Sequence, residues 1–479
     1  MNQAITRIFL IGVVLFIAVV VNLTWIMGVR ADWYAQRPEN KRSFAQELKI
    51  KRGDIIAFDD SVLATSKRRS GYYYRQYPQG SLAAQLIGYS SARYGRSGLE
   101  SEFNAELSGQ SDDLTLRRWV DQLLGRQQEG ASLALTLVPA VQKVAQTALE
   151  GKVGAIVALD PSSGAIIASA SSPTYDLSTL DEDWDELNAA ASAPLLNRPT
   201  QGLYPPGSSF KVVTAAAGLE EGVVTPTTQF VDTGTYRVGG GKVTNYGGEV
   251  YGAHDFSEAL TYSINTTFGK VGNDVGRERL VEVMTDFGFY GVPPLTLPDG
   301  EVAASGRYGD GELLPTDAAM DDLAVAWAAC GQEQVLATPL QMALVAAAVA
   351  NDGKVMKPYV VRDIIAPNNA VMRHASPEVW TTAMDSDTAA ELTAMMKRVV
   401  SSGTGTSAAL QGVSVAGKTG TAERGDGTNL AWFIAFAPAD EPEVAVAVVV
   451  EGVQTTGGET AAPLAAAVLK SALAQASLP

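Results

Sequence analysis

Tyr204-Pro205-Pro206-Gly207-Ser208-Ser209-Phe210-Lys211 is the stretch on which the reading of this 479-residue chain turns. Pro-Pro-Gly stops whatever precedes it, because proline lacks an N–H and restricts the residue before it. An apolar helical pattern starts at Ser208. Its members Phe210, Val212, Val213, Ala215, Ala216, Ala217 and Leu219 leave almost no polar face, which predicts a buried helix. Ser208 and Lys211 stand three apart in its first turn, on one face and within contact. A lysine at the positive end of a buried helix should have a lowered pKa and be able to take a proton from the serine. An N-cap serine beside a snorkelling lysine fits the same spacing.

Two further triplets lie downstream. Ser263-Ile264-Asn265 comes after a helix-like Ser257–Tyr262 segment; its hydroxyl can relay a proton and its amide can hold a carbonyl, although a plain turn has the same composition. Gly417-Lys418-Thr419-Gly420-Thr421-Ala422-Glu423 precedes a strand expected at Ala431–Ala437. Gly412 to Thr419 formally spells a phosphate loop. That reading needs a helix directly after Thr419, whereas the chain continues with Gly420, then Gly425-Asp426-Gly427, then the strand.

Composition narrows the chemistry. With 36 Lys+Arg against 52 Asp+Glu and a net charge of −16, the chain is no duplex nucleic-acid binder. The single Cys330 excludes an internal disulfide and any multi-cysteine metal site. Cys330 itself reads as a buried core thiol rather than a nucleophile. His254 and His374 are the only histidines, so an all-histidine metal site is excluded and a histidine base is not expected. Residues 1–130 hold 17 basic and 13 acidic side chains and the remainder 19 and 39, which suggests two bodies with different surroundings.

Ile8 to Val29 carries no charge and is bracketed by Arg7 and Arg30. A helix of that length spans a hydrocarbon core of roughly 30 Å. Trp25, Trp33 and Tyr34 fall where an interfacial belt belongs. A cleaved signal peptide with Val29-Arg30-Ala31 as its site is the rival, but its apolar core is too long. A seven-residue tail before one span is expected to stay cytoplasmic, although Arg30, Arg37, Lys41 and Arg42 crowd the other side, and about 450 residues then lie outside.

Residues 31–130 read as a first outer body, with a strand at Ile50–Ile56 and a polar linker over 117–130. Arg52-Gly53-Asp54 inside it spells a cell-adhesion tripeptide, a match that three letters produce by chance. Residues 131–479 form the large domain. Strands are expected at Ser132–Thr136, in a hairpin of 154–160 with 165–168, and at Ala431–Ala437 and Val444–Glu451. Helices are expected at Pro139–Leu149, Ala324–Ala329, Leu340–Ala350, Ala389–Val400 and Ala462–Gln475, and Gly234–Gly252 reads as a mobile loop.

Ser-x-x-Lys, a Ser-x-Asn triplet and Lys-Thr-Gly together are the motif set of penicillin-binding proteins and β-lactamases, here with Ile264 where that set carries Asp. The chain resembles class B penicillin-binding proteins, membrane-anchored peptidoglycan D,D-transpeptidases, and in particular their short actinobacterial type. Arg52–Ile55 and Tyr94–Glu100 resemble the family's pedestal motifs. So, in the larger body, do Ala158–Pro161, Asn197-Arg198, Gln201–Gly207, Thr338–Gln341 and Gly403–Thr406. Too little chain precedes the pedestal for a glycosyltransferase domain, and no appended domain is expected after the last helix.

The resemblance implies an α/β (α+β) fold. Its parts are a tail and single membrane helix over 1–30, a small mainly-β pedestal or dimerisation-type domain with linker over 31–130, and a transpeptidase domain over 131–479 whose central antiparallel sheet is flanked by helices. It implies Ser208 as nucleophile, Lys211 as base, Ser263 as proton relay, Asn265 as holder of the donor amide and Lys418 as a source of positive potential. Thr419 and Thr421, flanking Gly420, would bind the terminal carboxylate, and the N–H groups of Ser208 and Thr421 would form an oxyanion hole. Neither cofactor nor metal is implied. The implied ligands are D-Ala-D-Ala stem peptides and β-lactams, with membrane contact through residues 8–29, a polytopic membrane glycosyltransferase as partner, and the catalytic domain outside the cell membrane. A D,D-carboxypeptidase or β-lactamase-like hydrolase, and a non-catalytic penicillin-binding scaffold, carry the same motifs. One departure is Glu333 in Gly331-Gln332-Glu333, where many relatives have a third glycine.

Overall fold

A computed structural model of the chain describes residues 3–28, 30, 48–111, 113, 123–124 and 127–479. Helix α1 (Gln3–Gly28) is long and apolar enough to cross a membrane and is exposed over nearly all of its length. Val29, Ala31, Trp33, Tyr34, Arg37, Lys41, Arg42 and most of the linker at 117–130 lie outside the described residues.

Past Leu48 the chain forms β1 (Ile55–Ile56), the hairpin β2 (Val62–Arg69) and β3 (Tyr72–Gln76), and a short helix α2 (Gly98–Glu102). Only the last two residues of the strand expected at 50–56 pair as one. Gly53 presses on the Ala131 carbonyl, where a Cβ would lie 1.8 Å away, and the Arg52 side chain turns inward, so the segment leaves the ladder there. Arg52 Nε meets Glu100 Oε2 at 2.6 Å, and Arg75 reaches the other oxygen of the same fully buried carboxylate. The two stretches that resemble pedestal motifs therefore meet at one ion cluster. Arg52-Gly53-Asp54 is thus structural, its arginine nearly buried and its aspartate accepting from Thr65 at 2.7 Å, not an adhesion signal.

Next come β4 (Ser132–Leu135), α3 (Pro139–Ala148) and the hairpin β5 (Val153–Leu159) and β6 (Ile166–Ser172). The middle of the chain supplies α4 (Lys211–Glu220), β7 (Gln229–Asp232), β8 (Thr235–Val238), β9 (Gly241–Thr244), β10 (Gly252–Asp255), α5 (Phe256–Tyr262) and α6 (Asn265–Val275). Then come α7 (Asp322–Ala328), α8 (Pro339–Ala350), β11 (Val361–Ile365), β12 (Val371–His374) and α9 (Ser386–Ser402). The end of the chain is β13 (Ala416–Glu423), β14 (Asn429–Ala437), β15 (Val444–Val453) and α10 (Gly457–Leu473).

The central sheet has the order β13-β14-β15-β5-β6 and is antiparallel throughout, as the resemblance implies. Its middle strands are apolar at nearly every position, Asn429 and Glu451 near strand ends excepted, because both faces are covered. Val446, Val448 and Val450 pack with Ala465 and Val468 of α10 on one side; Ala445, Ala447 and Val449 pack with the α8 side on the other. Helix α8 is buried nearly all round, so its alanines serve close approach to the sheet. Helix α10 starts at Gly457, earlier than expected, where Thr456 and Glu459 form a capping box.

A second, six-stranded sheet runs β12-β11-β4-β1-β2-β3, so hairpin β11–β12 of the large body extends the sheet of the smaller one. Gly234–Gly252 is no loose loop. It contains the hairpin β8–β9, turned at Gly239-Gly240 with φ of +57° and +77°. Paired glycines at positive φ suit a tight hairpin turn, and Leu323 packs against Gly239 and Gly241.

Candidate active site

The Ser208 segment is held from below before its helix begins. Trp432 Nε1 donates to the Pro205 carbonyl at 2.9 Å, and Gly207 N–H donates to Gly331 O at 2.9 Å. Gly207 has φ +53°, and a 3-10 turn over Gly207–Phe210 leads into α4. In a 3-10 turn residues i and i+3 eclipse, which sets Ser208 above Lys211. Ser208 is partly exposed and lines the cleft, whereas Lys211 is fully buried. The contact expected between them is not a hydrogen bond here. Lys211 Nζ instead donates to Ser263 O at 2.8 Å and to Asn265 Oδ1 at 2.6 Å, with Ser263 Oγ at 3.3 Å.

Ser263 occupies the break between α5 and α6. Its φ of +62° is left-handed, a strained setting for a residue with a Cβ, and it aims both its carbonyl and its hydroxyl at the lysines. Ile264 is fully buried, so the position where Asp stands in the motif set serves the core in this chain. Asn265 opens α6, and its Nδ2 donates to Thr244 O at 2.9 Å.

The third motif is a strand, not a phosphate loop. Residues 416–423 form β13 in register with β14, Lys418 opposite Ile434 and Gly420 opposite Trp432. As the edge of the sheet, β13 turns its outer backbone groups toward the turn that carries Ser208. Gly420 permits that approach: a Cβ there would lie 2.6 Å from Pro206 O and 2.8 Å from Trp432 Cβ. Lys418 Nζ donates to Ser263 Oγ and to Thr419 O, both at 2.9 Å. The Thr419 and Thr404 hydroxyls meet at 2.6 Å, and Thr421 Oγ1 accepts from Gly457 N–H at 3.2 Å.

Both ammonium groups are buried, and among the described residues neither makes an ion pair with a carboxylate. Burial lowers the Lys211 pKa to about 8. Burial also pushes Lys418 well down, and the neighbouring Lys211 adds to the shift. Cys330 is buried with its thiol 3.5 Å from Asn265 O, and burial raises its pKa, which suits a core thiol. Glu333 sits at φ +59°, two residues past the Gly331 that supports the Ser208 turn.

Ser208, Ser263, Asn265, Thr419 and Thr421 line one open cleft of about 450 Å³. Lys211 and Lys418 lie just beneath its floor, bonded to Ser263. The opposite wall was not singled out from the sequence: it is Thr244–Glu249 with Tyr251, joined by Tyr262, Trp327 and Gln332. Alternation of Tyr236, Val238 and Val243 about Gly239-Gly240 was the signal for the hairpin that carries it.

A serine beside a buried, uncompensated lysine, with a second lysine on a sheet edge, defines a serine acyltransferase of the penicillin-binding class. The family model for the penicillin binding protein transpeptidase domain matches residues 154–470, and that for the penicillin binding protein A dimerisation domain matches residues 52–133. The chain belongs to the penicillin-binding protein transpeptidase family. It is 36% identical, over the full length of both chains, to peptidoglycan D,D-transpeptidase PbpA of Mycolicibacterium smegmatis. The structure of penicillin-binding protein A from M. tuberculosis as a ceftriaxone acyl-enzyme superposes with TM-score 0.82 at 34% identity, covering 89% of this chain and 99% of that one. The D,D-transpeptidase domain of a peptidoglycan glycosyltransferase from Eggerthella lenta gives TM-score 0.79 at 36% identity, covering 89% and 98%.

Proposed function

We propose that the chain cross-links peptidoglycan stem peptides as a membrane-anchored D,D-transpeptidase. Ser208 attacks the carbonyl of the penultimate D-Ala, and its proton passes to Lys211. Ser263, between the two lysines, relays a proton to the departing D-Ala nitrogen, so the peptide bond breaks as the ester forms. Asn265 holds the donor's peptide amide. Lys418 supplies positive potential, and the Thr419 and Thr421 hydroxyls, with Gly420 keeping the strand close, receive the terminal carboxylate. The N–H groups of Ser208 and Thr421 stabilise the oxyanion, typically the largest single term in acyl transfer. An amine of a neighbouring stem then displaces Ser208 and takes its place on the carbonyl. A β-lactam imitates D-Ala-D-Ala and stops the cycle at the ester.

The observation that carries this reading is the convergence of two buried lysines on Ser263 Oγ beneath the cleft that Ser208 lines. In the same reading 1–30 are tail and anchor, 31–130 a pedestal, and 131–479 the catalytic domain, held outside the membrane. Its partner there is a polytopic glycosyltransferase that polymerises glycan during growth or division.

A fluorescent penicillin should label wild type and leave Ser208→Ala dark; equal labelling of both removes Ser208 as nucleophile. A donor thioester supplied with a D-amino acid should yield exchange product. Hydrolysis alone would make the protein a carboxypeptidase.

A further inference from the structure

Asp232 ends β7, only 4% exposed, and four groups donate to its carboxylate. Oδ1 accepts from Gly234 N–H at 2.8 Å and from the Thr266 hydroxyl at 2.7 Å. Oδ2 accepts from Asn245 Nδ2 and from Tyr251 N–H, each at 2.8 Å. These donors belong to separate parts of the site. Thr266 is the residue after Asn265 on α6, while Asn245 and Tyr251 are the two ends of the segment that walls the cleft. Asn245 closes the ring: its Nδ2 also donates to Glu249 O at 3.0 Å, and its Oδ1 accepts from Thr266 N–H at 3.2 Å.

No carboxylate–cation pair involves Asp232 among the described residues; its charge is met by oriented N–H and O–H groups alone. Burial pushes this carboxyl up, and the four hydrogen bonds more than offset it, so it stays below its ordinary range. An amide of the same shape cannot replace it. Whichever way Asn is turned, its NH2 faces two donors, and buried donors lose their acceptor.

We propose that Asp232 is a positioning residue for the reaction: through Asn245 and Thr266 it sets the wall Asn245–Tyr251 against Asn265 and thereby governs how tightly the acyl donor is held before attack. The inference rests on the reading of Ser208 as nucleophile and Asn265 as holder of the donor amide. Lys211 keeps its own contacts to Ser263 and Asn265, so the chemical step is expected to survive when the wall loosens.

The test is the acylation of the full chain in detergent by a chromogenic cephalosporin, resolved into the apparent binding constant K and the acylation rate k2. Asp232→Asn is expected to raise K about tenfold, with k2 within about threefold of wild type. An unchanged K, or a fall in k2 alone, overturns the proposal. Should Asp232→Asn fail to melt cooperatively, Thr266→Val, which removes one donor at the same shape, decides: a several-fold rise in K supports the proposal and an unchanged K overturns it. Mass spectrometry of the wild-type adduct fails on a different outcome. Acyl transfer to a residue other than Ser208 sinks the underlying reading, whatever the Asp232 variants do.

Discussion

Lys211 Nζ and Asn265 Oδ1 lie 2.6 Å apart, and that contact bears on the protonation state in which the site works. A neutral amine has two N–H bonds, which the two shortest contacts, to Asn265 Oδ1 and Ser263 O, take up. The lone pair is then free for a hydroxyl. The ammonium form has a third donor that meets Ser263 Oγ at 3.3 Å and no lone pair to accept a proton.

Acylation of Ser208 by a penicillin is therefore expected to accelerate with rising pH and to level off above about 8, as neutral Lys211 accumulates. Lys211→Ala should lose both the rise and about 10²–10⁴-fold of the rate, the usual range for a general base. Quenched-flow labelling between pH 6 and 10 measures this. A pH-independent wild-type rate would remove Lys211 from the role.

Gly420→Ala should damage rate and stability together. The new Cβ must push on Pro206 O and Trp432 Cβ, backbone and core that cannot yield cheaply. Overpacking of this kind costs about 1–3 kcal/mol, and it displaces the turn that carries Ser208. Thermal melting and penicillin labelling check the two effects; normal values in both would mean that the edge strand tolerates the shift.

Glu100→Gln strands Arg52 and Arg75 in the smaller body without a counter-charge. Breaking a buried ion pair this way costs about 3–5 kcal/mol. The melting temperature should fall, while the fraction still folded labels at Ser208 as wild type does. Burial pushes the Glu100 carboxyl up, but the two guanidinium groups win and hold it below its ordinary range. The unfolded chain therefore binds the extra proton, and the cluster's contribution is complete at neutral pH and lost on acidification below about 4.5. Acid melting curves of wild type and Glu100→Gln should converge toward low pH.

Cys330 should resist thiol reagents in the native protein near pH 8 and react once the chain is unfolded, because burial both shields the thiol and raises its pKa. Cys330→Ala should leave the acylation rate within about twofold. Rapid native alkylation with loss of labelling would overturn the core assignment.

The sequence made legible what depends on residue type at short spacing. Ser208 and Lys211 in one turn, the apolar strands at 431–437 and 444–451, and the scarcity of histidine all come from local pattern. What it hid depends on long-range pairing. Asp232 acts on Asn245, Tyr251 and Thr266, none of them within ten residues, and nothing in a stretch of polar and glycine residues marks which carboxylate will be surrounded. The glycines at 239 and 240 looked like looseness because the alternation around them is short. The strand at Lys418 was masked by its glycines: Gly420 lets the Ser208 turn lie against it, and Gly417 clears the Phe433 ring.

The six-stranded sheet carries a consequence for cutting the chain. Removing α1 leaves every strand in place. Removing everything before residue 131 takes away β1–β3, strips β4 of its parallel neighbour and uncovers Leu133 and Leu135, both fully buried in the whole chain. The shortened protein inherits an open hydrogen-bonding rim of the kind that recruits other strands. A soluble form is therefore better begun near residue 48 than near residue 131, because the small body's β1 covers the edge that β4 would otherwise expose.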